Sequence, residues 1–207
     1  MNRQTEELWP LFIDACTSAG GTVLEVGSRV VSPGSSSKRP LFPNNQYIGM
    51  DMYPDANTDV LGDAHHLSQV VPGPLDAVFS MSVLEHLAAP WLFALEVSKV
   101  LRIGGMTFHA THFHWPEHEM PWDFFRFSDQ GLSAVFCPLF GFEVVHAAVF
   151  SPAHMYMVDP QLHPDMSLFQ CWGGSAILAR KVSEPLSSLD NVDLRLIYPA
   201  GTQYPKP

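Results

Sequence analysis

The 207-residue sequence predicts an α/β fold, a doubly wound and mostly parallel sheet with helices on both faces. Three observations predict it. Short β-rich runs alternate with stretches of 3.6-residue apolar period, which calls for right-handed crossover connections. The runs are nearly continuous in apolar residues, the profile of parallel strands buried on both faces. The last two runs have no helix-length pattern between them, so they are free to pair antiparallel.

Residues 5–19 form the first predicted helix, with Leu8, Leu11, Phe12, Ala15, Cys16 and Ala19 on one face and Pro10 in its first turn. Gly20 and Gly21 end it. Thr22 to Val26 is the first strand, closed by Gly27, and the Ser-, Pro- and Gly-rich residues 28–45 are a loop. Strands follow at Gln46 to Met50, ending at Asp51, and at Thr58 to Leu61, ending at Gly62-Asp63. A brief helix runs through Leu67 and Val70, and Ala77 to Ser80 is the fourth strand. Pro90 to Leu101 is a helix with proline at its start and Gly104-Gly105 beyond its end. Met106 to Ala110 is the fifth strand. Residues 111–127 show little periodicity, and Ser128 then caps a helix bearing Leu132, Val135, Phe136 and Leu139. Phe142 to Val149 and Ser175 to Val182 complete seven strands. One domain is expected over residues 1–182, and residues 183–207 read as an arm suited to packing on a second copy, compatible with a homodimer.

Composition narrows the function. The chain is 46% hydrophobic and 15% charged, too apolar for disorder. Eleven Lys and Arg against twenty-one Asp and Glu give a net charge of −10, and no basic cluster exceeds Lys38-Arg39. Nucleic-acid binding depends on neutralising phosphates, so no nucleic acid is expected as a partner. No run of eighteen apolar residues exists, so no membrane span is expected. Cys16, Cys137 and Cys171 stand at unrelated spacings and read as reduced core thiols of a cytoplasmic protein, with no zinc pattern.

In a doubly wound sheet a ligand lies beyond the carboxyl ends of the strands. Three of those ends carry an acid: Glu25, Asp51 and Asp63. A carboxylate closing the second strand matches the vicinal diol of a ribose, and Gly27 lets backbone approach a ligand with no Cβ between. Each acid also has a plain reading, as a strand-end cap or a Gly-Asp turn.

The ordered series VLEVGS, YIGMDM, VLGDAHHL, LDAVFSMSVLEHL, LRIGG and DFFRFS resembles class I S-adenosylmethionine-dependent methyltransferases. Within them it is similar to the small bacterial type 11, or "methyltransferase domain", group, over roughly residues 20–150. The resemblance implies a Rossmann-like seven-stranded sheet with an antiparallel last strand, and S-adenosyl-L-methionine as cofactor. It implies that Glu25, Gly27 and Ser28 border the methionine moiety, Asp51 the ribose, and Met52 the adenine. Asp63 and Ala64 would meet the adenine edge, and Ser80 and Met81 the region near the reactive methyl. The usual second and third glycines of the first loop are replaced by Ser28-Arg29-Val30.

Four of the ten histidines fall within residues 109–118, in the aromatic segment after the fifth strand. Apolar walls beside a few titratable groups suit a small-molecule acceptor. Histidine is the usual base near neutral pH. His112 and His114, two apart, would share a face if the chain stays extended, which makes them the catalytic candidates. His109, Trp115, Trp122 and Arg126 are the substrate-side candidates. Arg126 either grips a substrate carboxylate or pairs with Asp123, and His86 reads as structural. The expected activity is methyl transfer to oxygen or nitrogen of a natural-product or sugar-like acceptor, with no metal. A non-catalytic cofactor-binding module of the same fold, and a metal-binding enzyme using His109, His112, His114 and His118 with Glu117, Glu119 or Asp123, stay open as alternatives.

Overall fold

β-Branched and aliphatic residues at the centre of the chain's first strand are buried on both sides, and the rest of the molecule is arranged around them. In the computed structural model, which describes residues 8–32, 34–155 and 169–186 together with Asp193 and Ile197, β1 (Thr22–Val26) lies between β2 (Gln46–Asp51) and β4 (Leu75–Met81), parallel to both. The seven-stranded sheet has the order β3-β2-β1-β4-β5-β7-β6. Here β3 is Val60–Leu61, β5 Leu101–His112, β6 Phe142–Met155 and β7 Phe169–Lys181. Only β7 runs against its neighbours, pairing antiparallel with both β5 and β6. The sequence-based expectation of a mostly parallel sheet with an antiparallel final strand is therefore met.

Helices cover both faces. On one, α1 (Leu8–Ala19) inserts Leu8, Phe12 and Cys16, spaced four apart, against Phe42, Phe79 and Phe108. Trp9 completes an aromatic cluster, its ring centroid 5.1 Å from those of Phe79 and Phe108. Gly20, at φ +68°, ends α1 in the left-handed conformation, its N–H bonded to the Cys16 carbonyl. On the other face, α2 (Leu67–Val70), α3 (Pro90–Val100) and α4 (Asp129–Val135) pack Leu67, Phe93, Val97 and Leu132 over Leu24, Val26, Val78 and Ile177. Ser128 caps α4 as expected, its Oγ accepting the Gly131 N–H at 2.9 Å. Buried Lys181 donates to the Ser98 and Leu101 carbonyls at the end of α3 and pairs with Glu184. That arrangement places a cation on a helix C-terminus and ties the last strand to it.

Element lengths differ from expectation in several places: β4 is longer than the expected Ala77 to Ser80, and the helix capped by Ser128 stops at Val135, leaving Leu139 in a 3-10 turn over Pro138–Phe140. β3 is only two residues, because the backbone before it is taken up by turns around Asp55 and Asn57. β5 begins at Leu101, directly after α3, with a register shift opposite Leu75 and Ala77. β6 and β7 continue pairing to Met155↔Phe169, beyond the last β5 partner at His112↔Gly174. All three cysteines are buried and free, and burial, with Asp76 nearby, pushes the Cys16 thiol up to about 12. Most of the 183–207 arm, and with it the homodimer expectation, lies outside the described residues. No helix among the described residues is long and apolar enough to cross a membrane.

Candidate functional site

The carboxyl ends of β1, β2, β4 and β5 open onto one edge of the sheet, and the polar residues there fall into two groups. The first surrounds the loop after β1. Gly27 has φ +79°, and a Cβ at this position would stand 2.2 Å from Val83 Cγ2, so both backbone and space require glycine. Gly27 and Ser28 donate their N–H groups to the Met50 carbonyl at 2.8 and 3.0 Å. Glu25 is buried and receives hydrogen bonds from the Tyr47 hydroxyl and from Asn57 Nδ2. Burial raises its pKa, against the opposing effect of those two donors. Asn57 also donates to the Ser28 carbonyl at 2.9 Å, so one side chain joins the strand end to the loop. The Ser28 hydroxyl is turned inward onto Thr58 at 3.0 Å, so its side chain and both backbone polar groups are engaged within the protein.

Asp51 closes β2 and is held by Arg29. The Arg29 Nε lies 3.0 Å from Oδ1 and its backbone N–H 3.3 Å from Oδ2, while the Tyr53 N–H reaches Oδ1 at 3.1 Å. The guanidinium sits 4.9 Å over the Tyr53 ring. Met52 and Tyr53 beyond Asp51 are exposed. Asp63 caps the 3-10 turn Ala64–His66, accepting the His65 N–H and ring Nδ1 through one oxygen, Oδ1. These bonds hold its carboxyl below the usual range although partial burial acts the other way. Ala64 is buried and Met81 half-buried.

Two of the expected contacts turn inward instead. Ser80 and His109 are both fully buried and bonded to each other, Oγ to Nδ1 at 2.8 Å. The Thr107 hydroxyl donates to the Val78 carbonyl, so it accepts from His109 Nε2 at 2.6 Å. His109 is therefore a neutral ring protonated on Nε2, stacked on Phe136 at 4.2 Å. Burial pulls its pKa down to about 3. The residue lies in the core beneath α4, away from the pocket edge.

The second group is built by the turn Leu84–His86 after β4 and by the segment following β5. His112 and His114 do not share a face, because β5 ends at His112 and both Phe113 and His114 N–H groups turn onto the Gly173 carbonyl. His114 is exposed, its Nδ1 3.3 Å from the Trp172 carbonyl. His112 is half-buried, with Nε2 3.2 Å from Oε1 of Glu85 and its ring stacked on Trp115 at 4.9 Å. Burial holds His112 below the usual histidine range, reinforced by His118, Arg126 and His86 and opposed by Glu85. Glu85 itself is fully enclosed, and its Oε2 accepts from Thr111 Oγ1 at 2.6 Å.

Arg126 is the staple of this segment. Its Nη atoms grip Asp123 at 2.5 and 2.7 Å, and the remaining N–H groups reach the Trp115, Pro116 and Phe125 carbonyls. All five guanidinium donors are engaged, leaving none for a substrate carboxylate. The Arg126 hydrogen bonds hold the Asp123 carboxyl well below its ordinary range. Arg126→Lys is expected to keep the charge but loosen residues 115–126, because an ammonium cannot make a planar bidentate grip. Faster amide exchange at Phe124 and Phe125, with their protection otherwise set by bonds to the Glu85 carbonyl, is the measurement. Trp115, Met120, Trp122 and Phe124 leave apolar surface exposed around the group.

The profile of the family described as "Methyltransferase domain" matches residues 29–109. The strand order and the reversed β7 agree with it. The chain has the fold of class I S-adenosylmethionine-dependent methyltransferases, a seven-stranded sheet with its last strand reversed. A SAM-dependent methyltransferase from Archaeoglobus fulgidus superposes on this domain with a TM-score of 0.59 at 15% identity, covering 84% of this chain and 90% of its own. An S-adenosylmethionine-dependent methyltransferase from Mesorhizobium loti gives 0.56 at 13% identity, over 86% and 100%. The [4+2]-cyclase SpnF has the same fold, with a TM-score of 0.54 at 15% identity over 85% and 81%. No curated protein sequence matches the chain significantly. The likeness establishes the scaffold alone, and a fold does not fix what the side chains at its edge do. Of those, sequence reasoning left out Arg29, Tyr47, Asn57 and Glu85. The acid before His86 in S-V-L-E-H-L, just past a strand end, was the available signal for Glu85.

Proposed function

We propose that the protein is an S-adenosylmethionine-dependent methyltransferase acting on oxygen or nitrogen of a small-molecule acceptor. The observation that carries this reading is the row Glu25, Gly27, Asp51 and Asp63 along adjacent strand ends, beside the enclosed Glu85–His112 pair. The residues fit the cofactor. Gly27 supplies the positive-φ turn at the end of β1, Asp51 has acceptor capacity beyond what Arg29 uses, and Asp63 Oδ2 carries no hydrogen bond within the described residues. In this reading Glu25 and the turn at Gly27 border the methionine end, Asp51 the ribose, and Met52, Asp63 and Ala64 the adenine, with Met81 near the sulfur. Bound there, S-adenosylmethionine supplies an electrophilic methyl group on a sulfonium.

The chain's own contribution is orientation and proton handling. Trp115 and Trp122 offer flat apolar walls for a ring or sugar face. Glu85 faces Nε2 of His112, which leaves Nδ1, without a hydrogen bond among the described residues, to take the acceptor's proton. A ring kept neutral by its surroundings is in the correct state to do so at pH 7. His114, at the rim, is the second candidate for contact with the acceptor.

Calorimetry with S-adenosylhomocysteine and transfer of labelled methyl from S-adenosylmethionine to a panel of hydroxylated and aminated acceptors test the proposal. Binding with transfer supports it, and absence of binding overturns it. Arg29 lying on Asp51, and the cyclase among the fold's relatives, favour one second reading: a cofactor-binding scaffold that transfers no methyl group. Binding without turnover on any acceptor would support that reading instead.

A further inference from the structure

Three histidine rings converge beside a buried acid. The centroids of His112 and His118 are 5.2 Å apart, and those of His86 and His118 4.9 Å. One donor atom from each of Glu85, His112 and His118 can be chosen so that all lie within 4.8 Å of one another. The second, independent feature is Glu85 Oε1. It belongs to a side chain with no exposed surface, has no hydrogen bond among the described residues, and lies 3.2 Å from His112 Nε2. A buried polar oxygen without a hydrogen bond costs on the order of 1–3 kcal/mol, and one ring nitrogen at ion-pair distance leaves its remaining acceptor capacity unexplained. A cation is an explanation that the surrounding groups support.

The rings are also prepared for it. His118 Nδ1 lies 3.1 Å from the Pro116 carbonyl and His86 Nδ1 2.7 Å from the Trp122 carbonyl. A carbonyl can only accept, so both rings carry their proton on Nδ1 and present the Nε2 lone pair. Donation of the far ring N–H to a backbone carbonyl is the arrangement that orients metal-ligating histidines. Asp123, although close to His86 and His118, has both oxygens committed to Arg126 and the His118 N–H.

The geometry points to a binding site for one divalent transition-metal ion of the zinc class, held by Glu85, His112 and His118 with His86 at its rim. Two imidazoles and one carboxyl oxygen favour such an ion over magnesium or calcium, which take oxygen donors, and they leave coordination positions for an acceptor's oxygen or nitrogen. The site deepens the proposed methyl-transfer reading, because a metal would activate the acceptor in place of His112 as base. It does not depend on that reading, since the ion is bound without cofactor or acceptor.

The test uses full-length protein, freed of any affinity tag and of metal, titrated with zinc chloride by calorimetry and with cobalt chloride by visible absorption. One equivalent should bind, with the absorption of four- or five-coordinate cobalt. Glu85→Gln and His118→Ala should each weaken zinc binding by more than the ~10–100-fold that loss of an outer-shell partner costs. His146→Ala and His154→Ala, away from the cluster, should not change it. No binding, or binding unaltered in both cluster variants, overturns the site. Should Glu85→Gln fail to fold, His118→Ala decides alone. Titrating each sample with S-adenosylhomocysteine separates the two readings: retained cofactor with lost metal speaks only about the ion, and the reverse only about the methyltransferase.

Discussion

Asp51→Ala is expected to weaken S-adenosylhomocysteine binding by at least about 100-fold. Hydrogen bonds to a charged group contribute on the order of 1.5–3 kcal/mol each, and a ribose offers Asp51 two hydroxyls. The effect is tied to Arg29, which occupies Oδ1 through Nε and approaches Oδ2 through its backbone N–H. Tyr53 takes one more acceptor position. A carboxylate has about four such positions, so a ribose engaging both hydroxyls must displace part of the Arg29 contact. Arg29→Ala should therefore bind the nucleoside at least as tightly as the natural chain, and the double variant should behave like Asp51→Ala. Calorimetry on the four proteins gives the coupling directly. Unchanged affinity in Asp51→Ala would remove the ribose role. A loss in Arg29→Ala as large as in Asp51→Ala would mean that Arg29 itself touches the cofactor.

The second large effect concerns stability. His109 has its pKa drawn down from 6.5 to about 3 by complete burial. Below pH 6.5 the unfolded chain takes up a proton at this residue that the folded chain refuses, so stability is full above that pH and falls as the solution is acidified towards pH 3. The ceiling of the contribution is roughly 5 kcal/mol, of which about 2 kcal/mol should disappear between pH 7.5 and 5. His112 is shifted in the same direction, and Glu25 acts in the opposite one, losing stability as pH rises. Urea denaturation at steps across that range, on the natural chain and on Ser80→Ala/His109→Leu, measures the His109 share. The double change removes the ring together with the hydroxyl that would be orphaned. Equal slopes in the two proteins would show that His109 is not the responsible group.

Both effects bear on what could be read in advance. The strand ends were legible because Glu25, Asp51 and Asp63 each lie within two residues of the end of an apolar run, and that pattern depends only on neighbours in sequence. The fold's reversed final strand was legible from the missing helix between the last two runs. The inward turn of Ser80 and His109 was not. A strand covered on both faces shows no alternation to reveal which side a residue takes. Thr107, His109 and Thr111 do share one buried face of β5, but only the packing of α3 and α4 identifies it. The separation of His112 from His114 depends on where β5 stops, and its partner β7 sets that point. Arg29 could not be placed because its contact with Asp51 joins two segments across a loop without periodicity.

The extra length of β6 and β7 has a consequence of its own. Four residue pairs, from Pro152↔Trp172 to Met155↔Phe169, lie beyond the last rung shared with β5, a reach of roughly 13 Å. Since β6 runs parallel to β5, this overhang leaves the sheet at the same edge as Glu85 and His112. Rungs can be added to or removed from it without touching any β5 contact or either hydrophobic cluster. What projects beyond the strand ends and what keeps the sheet folded are then separate quantities, so the ribbon can be lengthened or trimmed with the stability of the domain left nearly as it was.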